Sequence, residues 1–277
     1  MRIVIPGDFL CEGFVAGHGT FVAPGTQEIY ASMAGVVHHI DRVVCVKPVR
    51  SHYRPDIGDV VVGRVVSVDQ SRWQVDVNSY QHAILNLSAI NLPGGVQRRR
   101  VEEDKLHIRD YFIEGDLISA EVQQVGTFDG KINIQTRNQK YGKLKNGLLF
   151  KVDNNFIRKM KNHMLEFYAE PAIGCILGTN GYIWIYALNC GDNDRLPTAL
   201  ERQLMAILRN SIVALEKAKI PIFRDTIVKV IEEQQNHKIE PKDMLIPANI
   251  VPLVQSAKDL IDSEIGSQKQ VDVHKLM

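Results

Sequence analysis

Three consecutive arginines beside a glycine turn are the residues of this sequence whose type and spacing most directly suggest chemistry. Arg98, Arg99 and Arg100 follow the turn Pro93–Gly95. Guanidinium groups neutralise phosphates and release the counterions around a nucleic-acid backbone, so the run predicts contact with nucleic acid. Three acidic residues follow at once, at 102–104. An acidic protein partner and a solvated charged face are therefore the alternatives.

A second concentration of positive charge lies in residues 137–161, which contain eight lysines and arginines and one aspartate in a chain of net charge +1. Such a local excess is the electrostatic footprint of nucleic-acid binding, whereas an ordinary solvated face mixes both signs. We predict that the first part of this segment continues a phosphate path or docks on a partner. Its residues of interest are Lys140, Tyr141, Lys143 and Lys145.

The elements that would position these cations read as a small β-barrel. Glycine–aspartate pairs at 58–59 and 115–116 each open a β-branched run, as expected where strands enter a curled sheet. Five short strands are predicted between residues 57 and 136 with no long helix between them, which favours an OB-type barrel that holds single-stranded nucleic acid. The arginine run would lie at its mouth, with Lys105 and Arg109 nearby. Trp73, on a barrel strand, could stack on a base or belong to the core.

After the barrel the pattern predicts a strand, a helix and two further strands. The helix would be capped by Asn154 or Asn155, run through Met160 to Met164, and show Arg158, Lys159 and Lys161 outside. Gly178, Thr179, Asn180 and Gly181 then match the Gly-x-x-Gly loop with which a KH domain clamps a nucleic-acid backbone. Such a loop normally leads into a helix, whereas residues 182–186 alternate like a strand and Asn-Gly favours a hairpin turn. An RNA clamp and a structural turn both remain open.

The two ends of the chain differ in type. Residues 1–55 read as a compact β module with frequent glycine and proline turns. The tail reads as helical, with a capping box at Thr198 and Glu201, a stop at Pro221 and a second helix from Asp225 to before Pro241. A short amphipathic run follows around Leu260. We expect these helices to pack on the third module, with a partner-binding stripe as the alternative for the last one.

Composition excludes several classes of protein. Apolar residues make up 45% and charged residues 23%, which is ordinary for a soluble globular chain, and no apolar run approaches the roughly 20 residues of a membrane span. Four scattered cysteines without a Cys-x-x-Cys pair indicate reduced thiols in a cytosolic or nuclear protein. No paired carboxylates, metal-ligand cluster, nucleophile with a base or phosphate loop is evident. We expect no catalysis, no cofactor and no small-molecule substrate.

Several independent motifs occur in one order along the chain: Val4–Asp8, Gly17–Thr20, Gly58–Arg64, Asn91–Gly95 with the three arginines, Glu114–Val122, Lys140–Leu144 and Ile176–Tyr186. Together they resemble those of a known family, the ribosomal RNA-processing protein 4 family of RNA exosome cap subunits. The resemblance implies a mixed β and α+β fold. It implies an N-terminal β domain at 1–55, an S1-type OB barrel at 56–137, and a KH-type domain with a helical C-terminal extension at 138–277.

The resemblance also implies a role without chemistry of its own. Cap subunits of this family sit on a ring of six ribonuclease-PH-like subunits beside other S1/KH cap subunits, and guide single-stranded RNA toward a 3′-to-5′ exonuclease. It further implies residence in cytoplasm and nucleus, including the nucleolus. The alternatives are a free-standing S1/KH RNA-binding regulator and a nuclease in its own right.

Overall fold

The computed structural model of the chain describes residues 2–48, 52–90, 106–126, 129–168, 170–188 and 195–275. The chain divides into two units, residues 1–51 and residues 52–277. The first unit is made of two small sheets, with strand orders β1-β6-β7-β3 and β2-β5-β4. Its core contains Val4, Ile29, Val44 and Val46. The strands are β1 (Ile3–Val4), β2 (Phe9–Glu12), β3 (Val15–Ala16), β4 (Thr20–Val22), β5 (Glu28–Ala31), β6 (Gly35–Ile40) and β7 (Val43–Pro48).

The predicted barrel opens the second unit and is confirmed. Its sheet has the order β12-β10-β9-β8-β11-β13, and an additional β12–β11 pairing closes a ring of five strands. The strands are β8 (Val60–Val68), β9 (Arg72–Asp76), β10 (Ala83–Ile90), β11 (Leu117–Val125), β12 (Ile132–Thr136) and β13 (Gly142–Lys143). Alternate residues such as Val75, Leu85 and Ile134 fill the interior, as the period of two requires. A short helix α1 (Ile108–Tyr111) precedes β11 and buries Ile108.

A four-stranded antiparallel sheet of order β14-β17-β16-β15 forms the KH module. Its strands are β14 (Gly147–Lys151), β15 (Met164–Phe167), β16 (Ile173–Leu177) and β17 (Tyr182–Ala187). Because side chains alternate along a strand, the sheet has two apolar faces. Ile183 and Ile185 lie in the core that includes the C-terminal helices. Ile176 and Trp184 pack instead against Val60 and Val62 of the barrel.

The helix predicted to run from Asn154 to Met164 is wrong. Only a 3-10 turn forms, at Asn154–Phe156, and Asp153 caps it. Ile157 then turns extended and bridges to Ile222, so tertiary pairing prevails over the helical spacing of the apolar residues. Met164 begins strand β15 instead.

Three helices complete the chain: α2 (Ala199–Lys217), α3 (Arg224–His237) and α4 (Pro247–Lys275). The predicted capping box is present, because Thr198 accepts a hydrogen bond from the Glu201 amide and Glu201 accepts one from the Thr198 amide. The last helix is longer than the predicted run around Leu260 and includes Pro252. Burial of Leu253, Val254 and Ala257 in the core offsets the lost backbone hydrogen bond. No helix within the described residues is long and apolar enough to cross a membrane.

Candidate nucleic-acid interface

The boundary between the barrel and the KH sheet, where Val60 and Val62 pack against Ile176 and Trp184, is called the seam. The Gly-x-x-Gly turn lies in this seam. All four residues, Gly178 to Gly181, are buried. The Asn180 amide nitrogen donates to the carbonyl oxygens of Val62 at 2.7 Å and Val77 at 3.0 Å. Thr179 donates its backbone N–H to the Val60 carbonyl at 2.9 Å. The turn is therefore hydrogen-bonded to a barrel strand.

This geometry decides between the two interpretations of the turn. Gly181 has φ +88°, a conformation that glycine adopts readily at the end of a hairpin turn, and β17 follows at once. Asn180 is 0% exposed and its polar groups bind the barrel. No nucleotide backbone can lie on this turn, so the clamp interpretation does not hold and the structural turn does.

A buried carboxylate forms a second polar cluster in the same seam. Asp59 is 6% exposed and accepts hydrogen bonds from the Tyr53 hydroxyl at 2.9 Å and the Asp56 amide at 3.0 Å. The Lys159 ammonium lies 3.1 Å from Asp59 and also pairs with Asp56. Burial alone would lower the pKa of Lys159, but its hydrogen bonds to these two carboxylates outweigh that effect and the pKa is raised. Lys159, predicted on an outer helix face, instead ties the KH module to the barrel.

Of the two interpretations of Trp73, the core position is the one observed, and the predicted RNA contact at this residue is wrong. Its side chain is 0% exposed, and the indole N–H donates to the Phe112 carbonyl at 3.0 Å. The rings of Tyr111 and Phe112 meet it edge-on, at centroid distances of 6.4 and 5.4 Å. A tryptophan can be fully buried in the barrel core here because its one polar group, the indole N–H, has a buried hydrogen-bond acceptor.

The predicted cations differ in how the structure uses them. Arg109 is exposed and pairs with Glu114 at 2.6 Å. The pKa of Glu114 is lowered, mainly by a backbone hydrogen bond and in addition by Arg109. Lys143 pairs with Asp116 at 2.6 Å. Lys140 and Lys145 are exposed. Arg98, Arg99, Arg100 and Lys105 lie outside the described residues, so their contact with RNA stays a prediction.

Tyr141 is half-buried beside β13 and does not stand free among the lysines. It packs with Leu117 and Leu144 against the cluster of the seam. Burial, and then the nearby carboxylate of Glu121, raise the pKa of Tyr141 to about 12. Its ring therefore supports the segment that presents Lys140 and Lys145, and only part of it faces solvent.

The sequence did not single out the polar turn between β9 and β10. Tyr80 in this turn is 65% exposed, and its ring lies 5.3 Å from that of His52. The available signal was one aromatic residue within a run of turn formers and amides, Asn78 to His82. Within the described residues, no group of histidine, cysteine, aspartate and glutamate side chains could hold a metal ion.

Three family models match the chain in the order of its modules. "Exosome complex exonuclease RRP4 N-terminal region" matches residues 3–40, "RRP4, S1 domain" residues 52–124, and "KH domain" residues 147–189. The Exosome complex component RRP4 of Mus musculus is 38% identical over 275 residues, covering 95% of this chain and 92% of that protein. The protein of the same name from Bos taurus is 37% identical, with coverages of 96% and 92%. That from Saccharomyces cerevisiae is 41% identical over 186 residues, covering 66% and 50%.

The chain belongs to the RRP4 family of exosome components.

Membership in the RRP4 family confirms the resemblance that the sequence motifs indicated. The S1 match spans β8 to most of β11, and the KH match spans β14 to β17. It includes the turn Gly178–Gly181. The chain thus has the sheet of the KH domain, while its Gly-x-x-Gly turn is buried against the barrel.

Proposed function

We propose that this RRP4-family chain is a non-catalytic, RNA-binding cap subunit of the RNA exosome. It guides single-stranded RNA into the ring for 3′-to-5′ processing and degradation, including ribosomal RNA maturation, and it stabilises the ring. The observation that carries the proposal is the identity of 37–38%, over nearly the whole chain, to proteins named exosome complex components. The closed five-stranded barrel supports it, since such barrels bind single strands in other proteins.

The RNA contacts are electrostatic in this proposal and carry no sequence preference. In the sequence, the arginine run, Lys105 and Arg109 come between the residues of β10 and those of β11, and Lys140 and Lys145 are exposed beside β13. These cations contact phosphates, which are the same for every sequence. In this proposal the buried turn Gly178–Gly181 does not contact RNA, and its hydrogen bonds join the KH sheet to the barrel.

The N-terminal unit supports the proposal of protein partners. Ile3, Ile5, Val15 and Ile40 are 58–77% exposed, in a unit whose core is small. Exposed apolar side chains in such number are typical of surfaces that another protein covers. We assign this unit to contacts with the ribonuclease-PH-like ring subunits and the other S1/KH cap subunits, in cytoplasm and nucleus, including the nucleolus.

Affinity purification tests the assembly. The tagged protein, isolated from its own cell at moderate salt after ribonuclease treatment, should retain six ribonuclease-PH-like proteins and other S1/KH subunits in near-equal amounts. Recovery of the chain alone would favour a free-standing S1/KH RNA-binding regulator.

An activity assay tests the absence of catalysis. The purified chain, incubated with end-labelled single-stranded RNA and magnesium, should leave the RNA at full length. Processive shortening that persists through further purification would identify the chain as a nuclease.

A further inference from the structure

The turn between β9 and β10 presents an aromatic side chain on a firmly held backbone. Ser79 donates its hydroxyl to the Tyr53 carbonyl at 3.1 Å, and the two residues form a β-bridge. The side-chain amide of Asn78 donates to the Asn180 carbonyl at 2.8 Å, and that of Gln81 to the Asp129 carbonyl at 3.1 Å. Ser79 is thus held at its backbone, and the side chains on both sides of Tyr80 are bonded to three other segments.

Tyr80 nevertheless points its ring into solvent. The side chain is 65% exposed, and among the described residues the ring that lies beside it is that of His52, tilted by 53° at a centroid distance of 5.3 Å. Because the turn is already held in place, a flat ligand that stacks on this ring would bind with little loss of conformational entropy in the protein. Fixed, exposed aromatic rings are how single-strand-binding proteins hold bases without regard to sequence.

Two lysines are linked to this turn through its polar neighbours. The Lys151 ammonium donates to the Asn78 side-chain oxygen at 2.6 Å. Lys131 lies 2.9 Å from the Asp129 carboxylate, and the carbonyl of the same aspartate accepts a hydrogen bond from the Gln81 side chain. Lys151 and Lys131 are both exposed. Asp129 offsets part of the charge of Lys131, so Lys151 is the stronger cation of the two.

The surroundings favour nucleic acid over a protein partner. Within residues 70–90, all of which the structure describes, Tyr80 is the one large apolar residue that is strongly exposed. A protein hot spot is usually set among other apolar contacts that exclude water. A single exposed ring in a turn to which two lysines are linked instead matches the alternation of bases and phosphates along a single strand.

We propose that Tyr80, together with His52, is a base-stacking platform for single-stranded RNA, and that Lys151 and Lys131 contact the phosphates on either side of the stacked nucleotide. This inference rests on the proposed function, because it assumes that RNA passes along the barrel. It assigns the aromatic contact to the β9–β10 turn, since Trp73 is buried.

The test separates stacking from charge. Fluorescence anisotropy at low salt would compare a short single-stranded RNA with an oligomer of equal length that has abasic sites, for the full chain and its variants. The wild type should bind the RNA with bases more tightly. Tyr80→Ala should weaken that binding about tenfold and abolish the preference over the abasic oligomer, with an unchanged salt slope. Tyr80→Phe, which keeps the ring, should bind like the wild type.

The lysines supply the complementary readout. Lys151→Ala should flatten the dependence of log K on log salt by about 0.7, the loss of one phosphate contact to a single strand. It should leave the preference for bases over abasic sites intact. Thermal unfolding of each variant would verify that the exposed substitutions leave the fold unchanged.

Each failure has a distinct meaning. If the wild type binds RNA and Tyr80→Ala binds it equally well, the stacking platform is overturned while the proposed function stands. If Tyr80→Ala retains RNA affinity but loses ring proteins in the affinity purification, the ring belongs to a protein interface and the inference is also overturned. If neither the chain nor its purified complex binds RNA, the proposed function itself fails.

Discussion

At the scale of single residues, the polar side chains of the seam are structural. Asn180 donates from one amide nitrogen to two barrel carbonyls, and Thr179 donates both its amide and its hydroxyl to Val60. Asp59 is held by three groups, of which Lys159 supplies the charge. Buried polar groups fix relative position because each alternative arrangement leaves some of them unpaired. The residues that a motif search assigns to RNA are therefore those that join the two modules.

Replacing Asn180 with alanine should destabilise the protein. The change leaves the carbonyl oxygens of Val62 and Val77 without these donors in a buried site, at a cost of about 2 to 4 kcal/mol. Urea unfolding measures it. Asn86→Ala, an exposed position on β10, is the matched control and should change the free energy of unfolding by less than about 0.5 kcal/mol. Equal effects of the two substitutions would contradict the role of the seam.

His163 should make stability depend on pH. Its Nε2 accepts a hydrogen bond from the Met160 amide and its Nδ1 therefore donates to the Leu177 carbonyl, so the fold needs the neutral ring. Burial lowers the pKa of His163, with Lys159 acting in the same direction and Asp59 against it. As pH falls, His163 is therefore protonated in the unfolded chain before it is protonated in the folded chain. The stability that the neutral ring contributes is lost as pH falls below about 6.5, the pKa of an unfolded histidine.

Comparison with a variant isolates this histidine from other titrating groups. Between pH 7.5 and 5.5 the free energy of unfolding of the wild type should fall more steeply than that of His163→Gln. Parallel pH profiles of the two proteins would show that His163 does not contribute.

At the scale of elements, the sequence predicts strands and capped helices well when the signal is local. The strands of the barrel follow from alternation after a glycine–aspartate turn, and α2 starts at the predicted capping box. The predicted helix after Asn154 fails because Ile157 pairs with Ile222, a contact between distant residues that no local pattern encodes. The length of α4 fails in the opposite sense, since tertiary burial of Leu253 and Ala257 outweighs Pro252.

The same distinction holds for the candidate site. Exposed Lys140 and Lys145 were predictable from charge alone. Burial of Trp73 and of the Gly178–Gly181 turn was not, because it depends on which sheet face meets which barrel strand. Tyr80 was missed since nothing in its turn shows, without the fold, that Ser79 and Gln81 are fixed.

The capping box of α2 gives a prediction for one element. Thr198→Ala removes the acceptor of the Glu201 amide, which lies 3.3 Å from the threonine hydroxyl, and should lower stability by about 1 kcal/mol. Thr198→Ser keeps the hydroxyl and should stay close to the wild type. Loss of equal size in both variants would attribute the effect to the methyl group instead of the cap. Thermal unfolding followed by circular dichroism at 222 nm measures both.

At the scale of the whole molecule, the arginine run tests whether charge alone carries RNA affinity. Replacing Arg98, Arg99 and Arg100 with alanine should weaken binding equally for RNAs of different sequence. It should flatten the dependence of log K on log salt by about 2. Removing three exposed lysines of the helical tail, Lys217, Lys242 and Lys258, alters net charge equally and should leave the slope unchanged. An unchanged slope in the arginine variant would remove this run from the RNA path.

The seam also predicts that barrel and KH module unfold together. The chain has two tryptophans, and Trp184→Phe leaves Trp73, in the barrel core, as the sole indole. The helices α2 to α4 pack with the KH sheet, so ellipticity at 222 nm reports mainly that module. In urea, Trp73 fluorescence and ellipticity should change with the same midpoint, as one cooperative transition requires.

Weakening the seam should then move both signals at once. Asn180→Ala in the Trp184→Phe background removes bonds that join the modules, so barrel and helices should unfold at a lower urea concentration and still coincide. If the helices unfold at the original midpoint while the midpoint of Trp73 fluorescence shifts, the two modules unfold independently, and the contacts of the seam do not couple their stabilities. Coincident transitions would instead mean that a substitution in the turn Gly178–Gly181 changes the stability of the barrel and of the KH module together.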